Sequence, residues 1–420
     1  MNTAAVSGST RTRRMSHVLI GKTLILVMTA FIATTNSISA YAATPLRGVS
    51  QTIPSEVPAT GVPAPTVGSL GFSAAVSGNV AVVGQPGVND GTGAVNIYSI
   101  SGAKWHLQST ITDPRKTAMD EFGWSVAVTS SSQGTYAAIG ASDNNSGFDV
   151  VYVYVLSHGK WRRQAALPDP GQSGSDNFGV AVAITSTMLV VGAPCVNNED
   201  GKFYVYLRFD QGWILAGGAL NPANQPHTWF GQSLSVSGKN ILVGEVDKAY
   251  MFTETPRQTL RRTATIQNPS SAADNFGWEV ALSGSTAVVT APGGVSETII
   301  SSPLSAGEVY VYKPKGRTWS LRQKVRVPAG AKGDQFGYSV SLESNFMLIG
   351  MPLYGSAGCG TAFEFAFSGS RWSARTQIKN QQCSKNAQFG FAVAKSGKSG
   401  VFGAPNSHAR KGAAYLRKVS

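Results

Sequence analysis

The chain has 420 residues, with 35 basic and 22 acidic side chains, five histidines and a formal net charge of +13. Charged residues make up only 14% of it against 47 glycines, and no long stretch keeps a helical period, which excludes a helical bundle or coiled coil. The basic balance suits anionic partners such as acidic glycans or phospholipid surfaces, and no nucleic-acid module is visible.

The first 42 residues read differently from the rest. Arg11, Arg13, Arg14 and Lys22 precede the apolar run Leu24 to Ala33, and the small residues Ala40 and Ala42 follow. This is the pattern of a secretory signal peptide, with cleavage expected between Ala42 and Ala43. The run is well short of the ~20 residues that span a bilayer. Cleavage would remove four basic residues and no acidic ones, leaving 31 against 22. The expectation is an exported chain of residues 43–420 that is soluble and monomeric, secreted, periplasmic or held at the cell surface.

From residue 70 onward one phrase recurs. Leu70-Gly71, Phe122-Gly123, Phe178-Gly179, Phe230-Gly231, Phe276-Gly277, Phe336-Gly337 and Phe389-Gly390 each open a copy. A period near 50 residues signals a propeller or array. Each copy parses into four short strands. The first follows Phe-Gly, and a tight turn leads to a second that ends in Pro, as at Pro194, Pro292 and Pro352. The third alternates aromatics, as in "VVYVYV" from Val150, and the fourth often opens with Trp, as at Trp105, Trp161 and Trp319. The fold class expected is all-β, a seven-bladed β-propeller of four-stranded antiparallel blades. Its inner strands would start near 70, 122, 178, 230, 276, 336 and 389. The Phe, Tyr and Trp of the repeat are expected to fill the wedges between blades. The last copy lacks a fourth strand, and Arg47 to Pro54 resembles the fourth strands, so that segment is expected to complete the last blade.

These residues resemble the FG-GAP repeat, the blade unit of the integrin α-subunit propeller. They are closer still to exported bacterial chains made only of such repeats. The resemblance implies extracellular recognition or adhesion, with a protein or cell-surface ligand bound on one face. Calcium-binding members carry an Asp-rich loop between the first two strands. Calcium needs six to eight oxygen ligands, and here those segments read "SGNV", "TSTM", "SGKN" or "SGST". No cofactor is expected, and no calcium in those hairpins.

In an antiparallel blade the 2–3 and 4–1 connections share one face, and here they are the longer loops, the default binding surface. Candidate ligand contacts there are Asp90, Asp143, Asn145, Glu199 and Asp200, which turn chemistry alone also explains. Ile299 and Ile300 lie on the longest loop and are either a contact or a cover over the propeller mouth. Cys359 and Cys383 flank a hairpin and could form a disulfide, leaving Cys195 over. A basic rim on the fourth strands includes Arg162, Arg163, Arg261, Arg262, Arg322, Lys324 and Arg326. It is either an anionic-polymer patch or a guard against edge-to-edge aggregation.

No nucleophile, metal or phosphate-loop motif is present. His227 and His408 are the acid–base candidates, both in loops of the longer-loop face. The function expected is non-catalytic recognition. A carbohydrate-binding propeller or anionic-polymer binder is the alternative, and a lyase or hydrolase assembled from several blades comes third.

Overall fold

A computed structural model describes the backbone of Val57–Pro58 and residues 69–420, except 103, 143–148, 172–175, 211, 271–273, 294–305, 317, 328–332 and 382–383. All of them lie in the compact unit that runs from Ala42 to Ser420. The candidates Asp143, Asn145, Ile299, Ile300 and Cys383, the segment Arg47 to Pro54 and the cleavage site fall outside the described residues.

The described strands form seven sheets of four antiparallel strands each, ordered along the chain from inside to outside in six of them. Blade one consists of Ser73–Ser77, Val80–Gln85, Ala94–Ser101 and Lys104–Thr112. The inner strands of blades two to seven are Ser125–Ser131, Val182–Ile184, Ser233–Ser237, Val280–Ser283, Val340–Glu343 and Val393–Ser396. Each packs on its successor, and blade seven packs on blade one, so the sheets close into a ring. The fold is the expected seven-bladed propeller.

The second strands are buried on both faces, as Val80–Gln85 and Met188–Ala193 show. A second strand lies within the sheet and between two blades, so beyond its first residue or two it is kept from water. The outer strands alternate, because one edge meets solvent.

One expectation is corrected and one is met. The inner strands do not begin at Phe-Gly but three or four residues after the Phe position. Phe-Gly forms a turn in which every motif glycine takes a positive φ, from 88° at Gly71 to 96° at Gly231. A side chain there would be strained, and a Cβ on Gly123 would lie 2.7 Å from the Ala94 carbonyl oxygen of the previous blade. The motif is therefore a joint between blades, and the alternation that follows it is the strand. The expectation that an N-terminal strand completes the last blade is met by Val57–Pro58, while the expected segment Arg47 to Pro54 lies outside the described residues. Val57 pairs with Leu416 and Pro58 with Tyr415, on the outer edge of Ala413–Lys418. Pro58 has no N–H for a ladder, which suits an edge.

The motif Phe side chains are fully buried, from Phe122 to Phe389. Phe122 sits among Val82 and Ile97 of blade one and Ile139 and Tyr152 of blade two. Its ring meets Tyr152 edge-on at 5.6 Å, and Phe178–Tyr204, Phe230–Tyr250 and Phe276–Tyr310 repeat the contact. Each such Phe contributes roughly 2–3 kcal/mol of burial. In blades two and three the outer-strand Trp latches the blade to the one before. Trp161 Nε1 donates to Gln108 Oε1 (3.1 Å) and Trp213 Nε1 to Gln164 Oε1 (2.9 Å).

Candidate functional site

The two ends of the ring differ. At one end the first hairpins are tight: Ser77 pairs with Val80, Ser237 with Asn240, Ser283 with Thr286 and Ser396 with Ser399. Two-residue turns of this kind have too few oxygens for the six to eight that calcium takes. Serines stitch this end together. Ser77 Oγ accepts from Ser130 N–H (2.9 Å), Ser283 Oγ from Ser344 N–H (3.0 Å) and Ser396 Oγ from Gly78 N–H (3.1 Å).

The other end carries the long connections, and they are built. Where one blade passes to the next, an Asp or Asn caps the turn that follows. Asp113 accepts from the N–H groups of Arg115 and Thr117, Asn221 from Ala223 and Asn268 from Ser270. The Asp two residues ahead of Phe-Gly is buried at positions 120, 176, 274 and 334. Burial raises Asp120 to about 7, although the Arg115 guanidinium at 2.8 Å opposes the shift.

Three of the 2–3 loops contain a left-handed turn. Asn89 and Asp90 have φ of 54° and 56° ahead of Gly91 at 79°, and Asn197, Asn198 and Glu199 have 52°, 62° and 65°. His408, Ala409 and Arg410 repeat it at 52°, 57° and 70°. Asn, Asp and Gly are the residues that tolerate this region, so Asn89, Asp90, Gly91, Asn197 and Asn198 fit it, whereas Glu199, Ala409 and Arg410 do not.

Among the candidate contacts, Asp90 is exposed on its loop. Glu199 and Asp200 serve the loops themselves. Glu199 Oε2 pairs with His227 Nδ1 at 2.8 Å and accepts from Trp229 Nε1 at 3.0 Å. Asp200 is buried, and its Oδ1 accepts from Gln225 N–H. The loop after the second strand of blade three is thereby locked to the connection that enters blade four, with His227 at the surface, 60% exposed. Of the five acidic and amide candidates, Glu199 and Asp200 thus have partners within the loops, Asp90 is exposed, and Asp143 and Asn145 lie outside the described residues. His408 is exposed on the blade-seven loop.

Cys195 is a free thiol. Burial pushes it up to about 12, with the nearby carboxylates of Glu199, Asp176 and Asp149 adding to the effect, so it is a poor nucleophile. The Cys359 carbonyl accepts from Phe389 N–H (2.8 Å), two residues ahead of the third strand of blade six.

The sequence reading missed the residue after each motif glycine. Phe72, Trp124, Trp278, Tyr338 and Phe391 occupy it, and their rings touch in sequence around the axis. The centroid distances are 4.7 Å for Phe72–Trp124 and 5.2 Å for Phe72–Phe391. Those for Tyr338–Phe391 and Trp278–Tyr338 are 4.9 Å and 5.3 Å. Val180 and Gln232 hold the position in blades three and four. The aromatic letter after Phe-Gly was in the sequence and could have been read as an axial position. Glu279, one residue further, sits beside this arc and is pushed up to about 8 by burial.

The basic rim is partly neutralised. Arg162, Arg163, Arg261, Arg262 and Arg322 are exposed. Lys324 Nζ, in contrast, pairs with Glu308 Oε2 at 2.7 Å, and Arg326 Nε pairs with Glu308 Oε1. Burial alone would raise the Glu308 carboxyl, but hydrogen bonds from Lys324, Tyr310 and Arg326 outweigh it and hold it below the usual range. These two cations are therefore not free rim charges.

No helix among the described residues is long and apolar enough to cross a membrane. No curated protein matches the chain. The FG-GAP repeat family matches it three times, at residues 161–206, 268–312 and 319–363. Two of these segments open on an outer-strand Trp, Trp161 and Trp319, and each runs into the third strand of the next blade, so the family's unit spans the joint that Phe-Gly makes. Three matched repeats in register with seven blades of one design make this chain an FG-GAP repeat β-propeller.

Proposed function

We propose that the chain is an exported, non-catalytic recognition module that binds a protein or cell-surface ligand through its longer-loop face. The observation that carries this reading is the lock between Glu199, His227 and Trp229. A loop fixed to its neighbour by the His227–Glu199 contact and an indole hydrogen bond loses little entropy when a partner docks on it, which favours binding. Elsewhere on the same face, Glu121 N–H donates to the Gly91 carbonyl (2.7 Å) and Asn386 N–H to the Ala357 carbonyl (2.7 Å). The opposite end, made of two-residue turns, offers less to grip. Proteins of this fold serve recognition without sharing one ligand, and the partner is an extracellular protein or glycan.

We further propose cleavage between Ala42 and Ala43, and a Cys359–Cys383 disulfide that staples blade six. The bridge is supported by Cys195 being the free thiol among the described residues.

The test is binding of residues 43–420 to immobilised matrix proteins, glycans and anionic lipids, at low and high salt. Salt-resistant capture by one defined protein or glycan, weakened by Met119→Glu and Gln225→Arg on the exposed loops, supports the reading. Turnover of a glycan by catalytic amounts of the chain would overturn it.

A further inference from the structure

The outer strands of six blades are long, and five of them carry charge: Lys104–Thr112, Lys160–Pro168, Leu260–Gln267, Thr318–Val325 and Trp372–Lys379. Blade three is different. Its outer strand, Gly212–Leu220, reads "GWILAGGAL" and has no charged residue. Ile214 is 56% exposed and Leu215 44%, on an edge that no described strand covers.

The position of these two side chains in the repeat is informative. Every long outer strand has a bulge at the same register, and the residues just before it correspond from blade to blade. In blade three, Ile214 pairs with Leu207 and Leu215 with Tyr206. In blade two the equivalent pairs are Arg162 with Val155 and Arg163 with Tyr154, and in blade four Arg261 with Thr253 and Arg262 with Phe252. An apolar pair thus sits between two arginine pairs on consecutive blades. The Trp213–Gln164 hydrogen bond holds the blade-three strand beside the strand that carries Arg162 and Arg163. All four arginines are exposed, and none has an ion pair among the described residues.

We propose that the blade-three edge docks an extended segment of an acidic partner protein. The segment adds as a strand to Gly212–Leu215, apolar where it meets Ile214 and Leu215 and acidic where it flanks them. The free edge offers backbone N–H and C=O groups that only another strand satisfies in full. Those same groups count against burial in a lipid bilayer, where they would go unpaired. A second copy of this chain is also disfavoured. Two blade-three edges paired about a twofold axis would bring the arginine pairs of blades two and four together, like charge against like. A polyanionic glycan would use the arginines but leave Ile214 and Leu215 without a role. This surface is separate from the longer-loop face, so the proposal stands or falls independently of the function proposed above.

The test uses a synthetic strand-forming peptide with an apolar centre and Asp or Glu flanks, and a twin with Lys flanks, titrated against the chain by fluorescence anisotropy. The acid-flanked peptide binds at least roughly tenfold more tightly than the twin. Ile214→Asp abolishes that binding, and replacing Arg162, Arg163, Arg261 and Arg262 by Ser weakens it by roughly tenfold or more. N-methylation of alternate peptide amides also removes it, which a merely electrostatic contact would not show. Leu215→Thr, a milder exposed change, gives a partial loss should Ile214→Asp disturb the blade. Equal binding of the two peptides, indifference to N-methylation, or no binding of either up to roughly 1 mM overturns the proposal. So does self-association in sedimentation velocity that depends on Ile214.

Discussion

Gly403 of blade seven and Gly71 of blade one, near opposite ends of the sequence, meet so closely that a Cβ on Gly403 would fall inside the Gly71 carbonyl. The same contact joins Gly84 to Gly123, Gly140 to Gly179, Gly192 to Gly231 and Gly350 to Gly390. One motif glycine ends the second strand of a blade, the other opens the next blade, and each needs the other's missing side chain. Neighbouring serines tighten the joint. Ser73 Oγ donates to the Gly123 carbonyl at 2.8 Å and Ser125 Oγ to that of Gly179 at 2.7 Å.

Gly403→Ala therefore destabilises the ring by more than about 3 kcal/mol, since backbone must move to admit the methyl group. Gly102→Ala, in a 3–4 turn at φ 64° with nothing within 4 Å, carries only the left-handed penalty of about 1–2 kcal/mol. Urea denaturation of both variants measures the difference. Equal midpoints would contradict the close approach.

Phe122→Ala, at the joint of blades one and two, costs about 3–5 kcal/mol by calorimetry or urea. Gln164→Leu, which strips the Trp213 indole of its acceptor further out, costs about 1 kcal/mol. An inverted order would mean that the outer latch, and not the motif Phe, carries the joint.

How much of this was legible depends on what each residue does. The Phe and Gly letters were plain, because packing and close approach restrict residue type tightly. The place where the inner strand begins was not, because a positive φ at Gly123 leaves no trace in apolar alternation. An N-terminal closing strand was legible from the missing fourth strand of the last copy, but its pairing register was not. Pairing at Val57–Pro58 uses two residues and makes almost no demand on side chains. On the rim, Lys324 and Arg326 read as free charges because their partner, Glu308, lies across the strand and comes into reach only through register. Glu199 and Asp200 were picked for their oxygens, and one side-chain oxygen of each is bonded within the loops, which spacing alone did not foretell.

Glu279 gives the ring a pH dependence. Its folded-state value of about 8 lies above that of an unfolded glutamate, so the folded chain holds the proton more tightly. Its contribution to stability is greatest below about pH 4.3 and is lost progressively up to about 8. Glu279→Gln flattens that fall in a series of urea midpoints taken from pH 5 to 9. A wild-type profile unchanged by the substitution would place the carboxyl in water.

The left-handed turn of blade seven is also testable. Ala409 at φ 57° carries a penalty of about 1–2 kcal/mol that glycine avoids, less the 0.5–1 kcal/mol or so of entropy that glycine adds to the unfolded chain. Ala409→Gly is thus neutral to about 1 kcal/mol stabilising, where Gly91→Ala in the matching turn of blade one is destabilising. Thermal midpoints of the two variants check the opposite signs.

The most direct test of recognition by the longer-loop face is a quantitative binding comparison. Residues 43–420 are measured against the protein or glycan they capture best, with Met119→Glu, Gln225→Arg and His408→Glu combined on that face. A parallel variant carries Arg322→Ser and Arg375→Ser, the latter residue being exposed on the outer strand Trp372–Lys379 of blade six. The account predicts that the face variant loses at least roughly tenfold in affinity while the rim variant keeps it at high salt. Binding that survives the face variant but disappears with the rim arginines or with salt would contradict it.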